Sequence, residues 1–280
     1  MPQDGLSLDR IVRLIESGSL SLPVYDPVVL KLQEAIANQT TDISEIERLI
    51  ISDQALAAEV LKASNSPFFC GLSPVRTIRN AIVRLGTQQV RRLVILASER
   101  TKYSAHHPDL HRMLKELWRH ASTAALASQW LSKRLRSTGI EEICFLGGLL
   151  HDIGKLVILR AVDEIKKNED VNLQISGKNL KDILQTAHCQ IGHRTLQDWN
   201  VPEIYCQIAR DHHSAEIPSG DLPLAIVRLA NEGSRKLGLG LDPDSSLVLA
   251  ETLEATLLQV GESLLDELTE MLGGHLASAA

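Results

Sequence analysis

Apolar residues recur along this chain at intervals of three and four rather than two, the spacing that puts them on one side of a helix. In YDPVVLKLQEAIAN, Val28, Leu30, Leu32, Ala35 and Ile36 form such a face, with Asp26 as N-cap and Pro27 at the first helical position. TTDISEIERLI places Asp42 and Glu45 at capping-box spacing, and DQALAAEVLKASNS is rich in helix formers up to a turn cluster before Pro67. TIRNAIVRLG closes on Gly86, after which Thr87 can cap TQQVRRLVILASERTK. These short elements predict an N-terminal helical subdomain over residues 1–105.

Longer helices follow. PDLHRMLKELWRHASTAALASQWLSKRLRS, GIEEICFLGGLLHDIG, KLVILRAVDEIKK, LKDILQTAHCQIGHRTLQDWN, VPEIYCQIARDHHS and LPLAIVRLANEGSRKLG are each of helical length, with a further pair near 245–272. EDVNLQISGKN interrupts them as a polar, loop-like stretch. The pattern predicts an all-α fold, with 106–280 as a second helical domain. Gly147 and Gly148 are expected to let neighbouring helices approach closely. LGLGLD has no strand before it and no glycine opening a helix after it, which argues against a nucleotide-binding loop.

Composition narrows the function. Apolar residues make up 44% of the chain and aromatics only 3%, so the core rests on Leu, Ile, Val and Ala. A net charge of −6 argues against a general nucleic-acid binder, whose affinity comes largely from neutralising phosphates. Arg79, Arg84, Arg91 and Arg92 are read as solvated helix faces rather than a phosphate patch. Cys70, Cys144, Cys189 and Cys206 are far apart in sequence, which predicts thiols in a reducing compartment and excludes a thiolate metal site. No stretch approaches the length of a membrane span and the first residues lack a leader pattern, so a cytoplasmic location without a membrane partner is expected.

The chemistry concentrates in histidines. Nine of the ten lie between His106 and His213. His151 and Asp152 interrupt the apolar FLGGLLHDIGKLVI, where a buried charge costs several kcal/mol unless it is paired or bound to a metal. Both readings, ion pair and ligation, fit the doublet. Glu116 and His120 are four apart and share a helix face, either as two ligands or as an exposed pair. His188 and His193 are five apart, so at most one serves a common site. His212 and His213 end an apolar helix. His106, His107 and His111 lie at a helix start and read as solvated, and His275 belongs to the C-terminal tail. Imidazoles with carboxylates from separate helices suit Fe, Mn, Zn, Co or Ni better than Ca or Mg. A pair of such ions serves phosphoester hydrolysis.

LLHDIGK resembles the signature of the HD superfamily of metal-dependent phosphohydrolases. SDQALAAEVLKASNSPFF, IRNAIVRLG, LWRHAS, HCQIGHRTLQDWNVPEIYCQIARDHH and VRLAN together resemble the HDOD family, a bacterial signalling relative of the HD-GYP phosphodiesterases. The resemblance covers roughly residues 20–235 and implies an HD-type multi-helical domain behind an N-terminal helical subdomain. It implies metal ligation by Glu116, His120, His151, Asp152, His188, His212 and His213, with Asp152 bridging and His188 chosen over His193 by its spacing to Gly192. Lys155 would face a phosphate, making Asp152 and Lys155 the catalytic pair. Asn231 replaces the last aspartate of the pattern, a weaker ligand that leaves the centre one negative charge short. No GYP segment follows His213, so the cyclic-di-GMP substrate is not implied. The resemblance thus implies one or two transition-metal ions, Fe or Mn foremost and Zn, Co or Ni as alternatives. Either a phosphohydrolase acting on a phosphorylated or nucleotide ligand, or a non-catalytic scaffold binding a signalling partner protein or nucleotide, fits it.

Overall fold

The computed structural model describes residues 7–17, 42–51, 54–65, 74–100, 102–137, 139–168 and 178–279, and every regular element among them is helical. The helix expected from Asp26, most of EDVNLQISGKN, and Cys70 lie outside the described residues. Contacts divide the chain into two units: Met1–Leu22 with Tyr103–Gly273, and Pro23–Lys102 with Gly274–Ala280.

In the smaller unit, α2 (Ile43–Ile51), α3 (Gln54–Ser64), α4 (Ile78–Leu85) and α5 (Thr87–Arg100) pack around Ile46, Ile50, Val60, Ile78, Ile82 and Val94. Asn65 fixes the end of α3 by exchanging two hydrogen bonds with the Val75 backbone, at 2.9 and 2.7 Å. Thr77 caps α4 by accepting from the Asn80 N–H, and Gly86 ends it at φ 76°. Of the four arginines read as solvated, Arg92 departs from that expectation at 8% exposed, while Arg79 is exposed and bonded to Glu47 at 3.0 Å.

The larger unit begins with α1 (Leu8–Glu16), which no expectation covered. Ser7 caps it, and Ile11, Leu14 and Ile15 turn its apolar side onto the core beside α8. The boundary expected at residue 105 therefore places in the first subdomain a helix that packs within the second unit. Pro108–Arg134 forms α6, with His107 as its cap and Pro108 in the first turn. Then come α7 (Glu141–Leu150), α8 (Ile153–Asn168), α9 (Lys178–Asp198), α10 (Glu203–Asp211) and α11 (Leu222–Lys236). A 3-10 turn at Leu249–Glu251, α12 (Leu253–Leu257) and α13 (Glu262–Ala279) as far as Gly273 close it. Leu265, Leu268 and Leu272 of α13 pack against Leu229 and Ile226 of α11.

The position of α7 sets the site. It packs against α6, α10 and α11, burying Cys144, Phe145 and Leu149. Gly148 allows the approach to α6: a Cβ there would fall 2.7 Å from the Ala124 carbonyl oxygen. The sequence pattern runs one helix through the His–Asp doublet, whereas the chain turns there, with α7 ending at Leu150 and α8 beginning at Ile153. The first turn of α8 then abuts α9 so closely that a Cβ on Gly154 would lie 1.9 Å from the His188 carbonyl oxygen.

Candidate metal centre

Five side chains from separate elements meet in this interior. His120 comes from the middle of α6, His151 caps the end of α7 and Asp152 follows it. His188 comes from α9, and His212 caps the end of α10. None of the five is more than 3% exposed.

Asp152 is the hub. Its Oδ2 lies 3.4 Å from His120 Nε2 and 3.5 Å from His151 Nε2, and these two nitrogens are 3.1 Å apart. Its Oδ1 lies 3.4 Å from His212 Nε2 and 3.5 Å from His188 Nε2, themselves 3.2 Å apart. One carboxylate thus presents each oxygen to a different pair of imidazoles. His151 donates its Nδ1–H to the Gly148 carbonyl at 2.8 Å, and His212 donates its Nδ1–H to that of Ala209 at 3.0 Å. In the neutral rings those bonds leave Nε2 as a lone-pair acceptor pointing at the carboxylate.

Electrostatics keep this arrangement in ligand form. Burial, opposed by the Asp152 charge, pushes His120 down to about 3 and His188 down to about 4, and it lowers His151 and His212 as well. Burial resists ionisation of Asp152, but the Lys155 ammonium and then His151 hold its carboxyl well below the usual range. Near neutral pH the centre is therefore one carboxylate and four neutral imidazoles, the protonation state that metal binding requires.

The other expected residues divide. Lys155 is at the centre, its Nζ donating to Asp152 Oδ2 at 2.8 Å. Asn231 is buried on α11 beside His151, and its Nδ2 has no hydrogen-bond partner. His213 is exposed at the rim, with its ring 4.2 Å from that of His212 and 5.2 Å from that of His188. Glu116 lies apart from the other expected ligands. Its carboxylate is held by Arg119, with both oxygens at 3.1 Å, and it is not among the donors gathered around Asp152. A spacing of four fixes a common helix face but not the partner, and Arg119 takes this one. His193 stays outside, 4.0 Å from Glu203. His106 is exposed, as expected, and bonds Asp163 through its backbone N–H and Nδ1, both at 3.0 Å.

Cys189 was missed. Its Sγ lies 3.4 Å from His188 Nε2, and with His188 and His212 it forms a set of donor atoms within 4.8 Å of one another. Wide spacing of the cysteines in sequence therefore does not keep this sulfur away from the histidines, because donors assemble through the fold. Burial and the Asp152 charge push the Cys189 thiol up to about 11.

These residues fit a metal. Donor separations of 3.1–3.5 Å are the edges of coordination polyhedra whose metal–ligand bonds are about 2.0–2.2 Å long. Asp152 Oδ1 is buried and accepts no hydrogen bond, which inside a protein is costly without a ligand. A cleft of about 590 Å³ opens beside the centre, lined by Lys155, Lys181, His188, His213, Arg235 and Asp242 among others.

A helical fold that brings a His–Asp doublet together with histidines from three other helices defines an HD-type multi-helical domain. The model of the HDOD domain matches residues 22–215, and this chain belongs to the HDOD family. An uncharacterized protein of Treponema pallidum (strain Nichols) is 27% identical over 201 residues, 69% of this chain. The chain spans only 38% of that relative's length. A crystal structure of a Shewanella amazonensis SB2B protein named as a metal-dependent phosphohydrolase matches with a TM-score of 0.74 and 19% identity, covering 96% of both chains. An HDOD domain protein of unknown function from Geobacter sulfurreducens matches with a TM-score of 0.64 and 22% identity, covering 94% of this chain and 88% of its own. At these identities the two structures share the fold. Among the described residues no helix is long and apolar enough to cross a membrane.

Proposed function

We propose that this protein is a metal-binding signalling module that hydrolyses a phosphoester lodged in the cleft beside Asp152. The observation that carries the reading is the split of one buried carboxylate between two imidazole pairs, with an oxygen that no protein donor satisfies. His120 and His151 would hold one ion, His188 and His212 a second, and Asp152 would bridge them. Fe or Mn suits such donors, and Asn231 offers an amide oxygen beside His151. Transition-metal pairs supply Lewis acidity and lower the pKa of bound water.

The chain's own groups do the rest. Gly148 and Ala209 carbonyls fix two imidazoles with Nε2 inward, so no rotation is needed to reach the working geometry. Lys155, at 12% side-chain exposure, lies between Asp152 and the cleft and would steady phosphoryl oxygens. Lys181 and Arg235 add positive charge along the wall, offset in part by Asp242. The test is hydrolysis of a generic phosphodiester by metal-loaded protein. Activity that disappears in Asp152→Ala with helicity retained supports the reading, and activity untouched by that change refutes it.

Two observations favour a second reading, in which the metal centre serves a regulatory scaffold without turnover. Glu116 is turned to Arg119 and Asn231 stands where a carboxylate would add charge, so the centre is carboxylate-poor. Metal binding without hydrolysis would select it, with the smaller unit as the part that recruits a partner protein or nucleotide.

A further inference from the structure

The two halves of the centre are chemically different. Around His120, His151 and Asp152 the gathered donors are nitrogen and oxygen alone. Around His188 and His212 a sulfur joins them, with Cys189 Sγ 3.4 Å from His188 Nε2. An ion bound about 2.3 Å from sulfur and 2.0–2.1 Å from nitrogen sets those two donors roughly 3.5 Å apart. The observed separation is that edge. Asp152 Oδ1, buried and without a hydrogen bond, lies 3.4–3.5 Å from both imidazoles of this half, beside the three gathered donors His188, Cys189 and His212.

We propose that Cys189 is a thiolate ligand of the ion on the His188–His212 side, making that half a site for a thiophilic divalent ion such as Zn²⁺. The His120–His151 half, lacking sulfur, is the site for a harder ion. This rests on the metal reading above and adds inequivalence between its two positions. Thiolate selects softer cations than imidazole with carboxylate does, so the pair is built to hold two different metals. On coordination the sulfur–metal bond forms and the thiol proton leaves to solvent. A cysteine that merely filled space would pack its sulfur against apolar neighbours. This one faces a buried imidazole nitrogen.

Cobalt(II) is the probe, added to the metal-free 280-residue chain and to its Cys189→Ser, Cys189→Ala and Cys206→Ser variants, with helicity checked by circular dichroism. Wild type and Cys206→Ser should develop the near-ultraviolet sulfur-to-cobalt charge-transfer band as the ion binds. Both Cys189 variants should lose the band and bind one of two equivalents about tenfold or more weakly, keeping the other. Cobalt bound by wild type without that band, or a band surviving in the Cys189 variants, overturns the thiolate assignment and leaves the metal centre standing. No cobalt bound by wild type overturns both.

Discussion

The larger unit buries two aspartates close together in sequence, Asp152 just before α8 and Asp163 within it, and treats them in opposite ways. Asp163 is 3% exposed and enclosed by donors: the His106 N–H reaches both of its oxygens, the His107 N–H one, and His106 Nδ1 the other. Burial works against its ionisation, and those backbone N–H groups hold its carboxyl low. Asp152 is buried to the same degree but meets lone pairs. Lys155 satisfies Oδ2, while Oδ1 faces the His188 and His212 imidazoles, the latter with its ring proton on the Ala209 carbonyl. A carboxylate that pins structure is closed by N–H groups, and a carboxylate that serves a ligand is left open among acceptors. The contrast separates anchor from site where burial alone would not.

The comparison can be broken hardest at the close approach that builds the Asp152 side. Gly154→Val drives a side chain into the His188 carbonyl, and we expect a loss of more than about 4 kcal/mol or failure to fold, read by thermal denaturation. Asp163→Ala should cost about 3 kcal/mol, because it strands the His106 and His107 N–H groups, yet leave metal content unchanged. Stability with metal lost in that variant would erase the distinction.

Acid should sharpen it further. His120 and His188 titrate at about 3 and about 4 when folded but near 6.5 when unfolded, so below pH 6.5 the unfolded chain binds more protons. Stability of the metal-free protein should be full above that pH, fall as pH drops from 6.5 towards 3, and then level off for these groups. His188→Gln should flatten the fall, whereas Asp163→Asn should keep its slope between pH 6.5 and 4, both read from urea unfolding midpoints. The smallest effect belongs to Glu116→Gln, which removes a partly exposed pair with Arg119. Stability should change by no more than about 0.5 kcal/mol and metal content not at all. Loss of metal in that variant would return Glu116 to the centre.

Much of this was legible in the residues. Helical periodicity gives the all-α class and most of the helices, since apolar faces, a cap such as Thr77 and a first-turn proline such as Pro108 are local signals. The HDOD resemblance singles out His120, His151, Asp152, His188 and His212, and the fold converges them. What escaped depended on distance. The spacing of Glu116 and His120 fixes a shared face, but Arg119 decides where the carboxylate goes. Cys189 looks incidental in a chain without paired cysteines until α9 turns its sulfur towards the same point as His188. The turn at His151–Asp152 goes with the close approach of α8 to α9 at Gly154, which no periodicity encodes. Ser7 as a cap and the Ile11, Leu14 and Ile15 spacing were the available signals for α1.

The central claim, that Asp152 is open because it serves a cation, is tested most directly by elemental analysis of protein purified from metal-replete cells, wild type beside Asp152→Asn. We predict stoichiometric transition metal in wild type and its loss in the variant, with the helical circular dichroism signal unchanged. Wild-type protein devoid of such metal, or a variant retaining as much as wild type, would contradict the account.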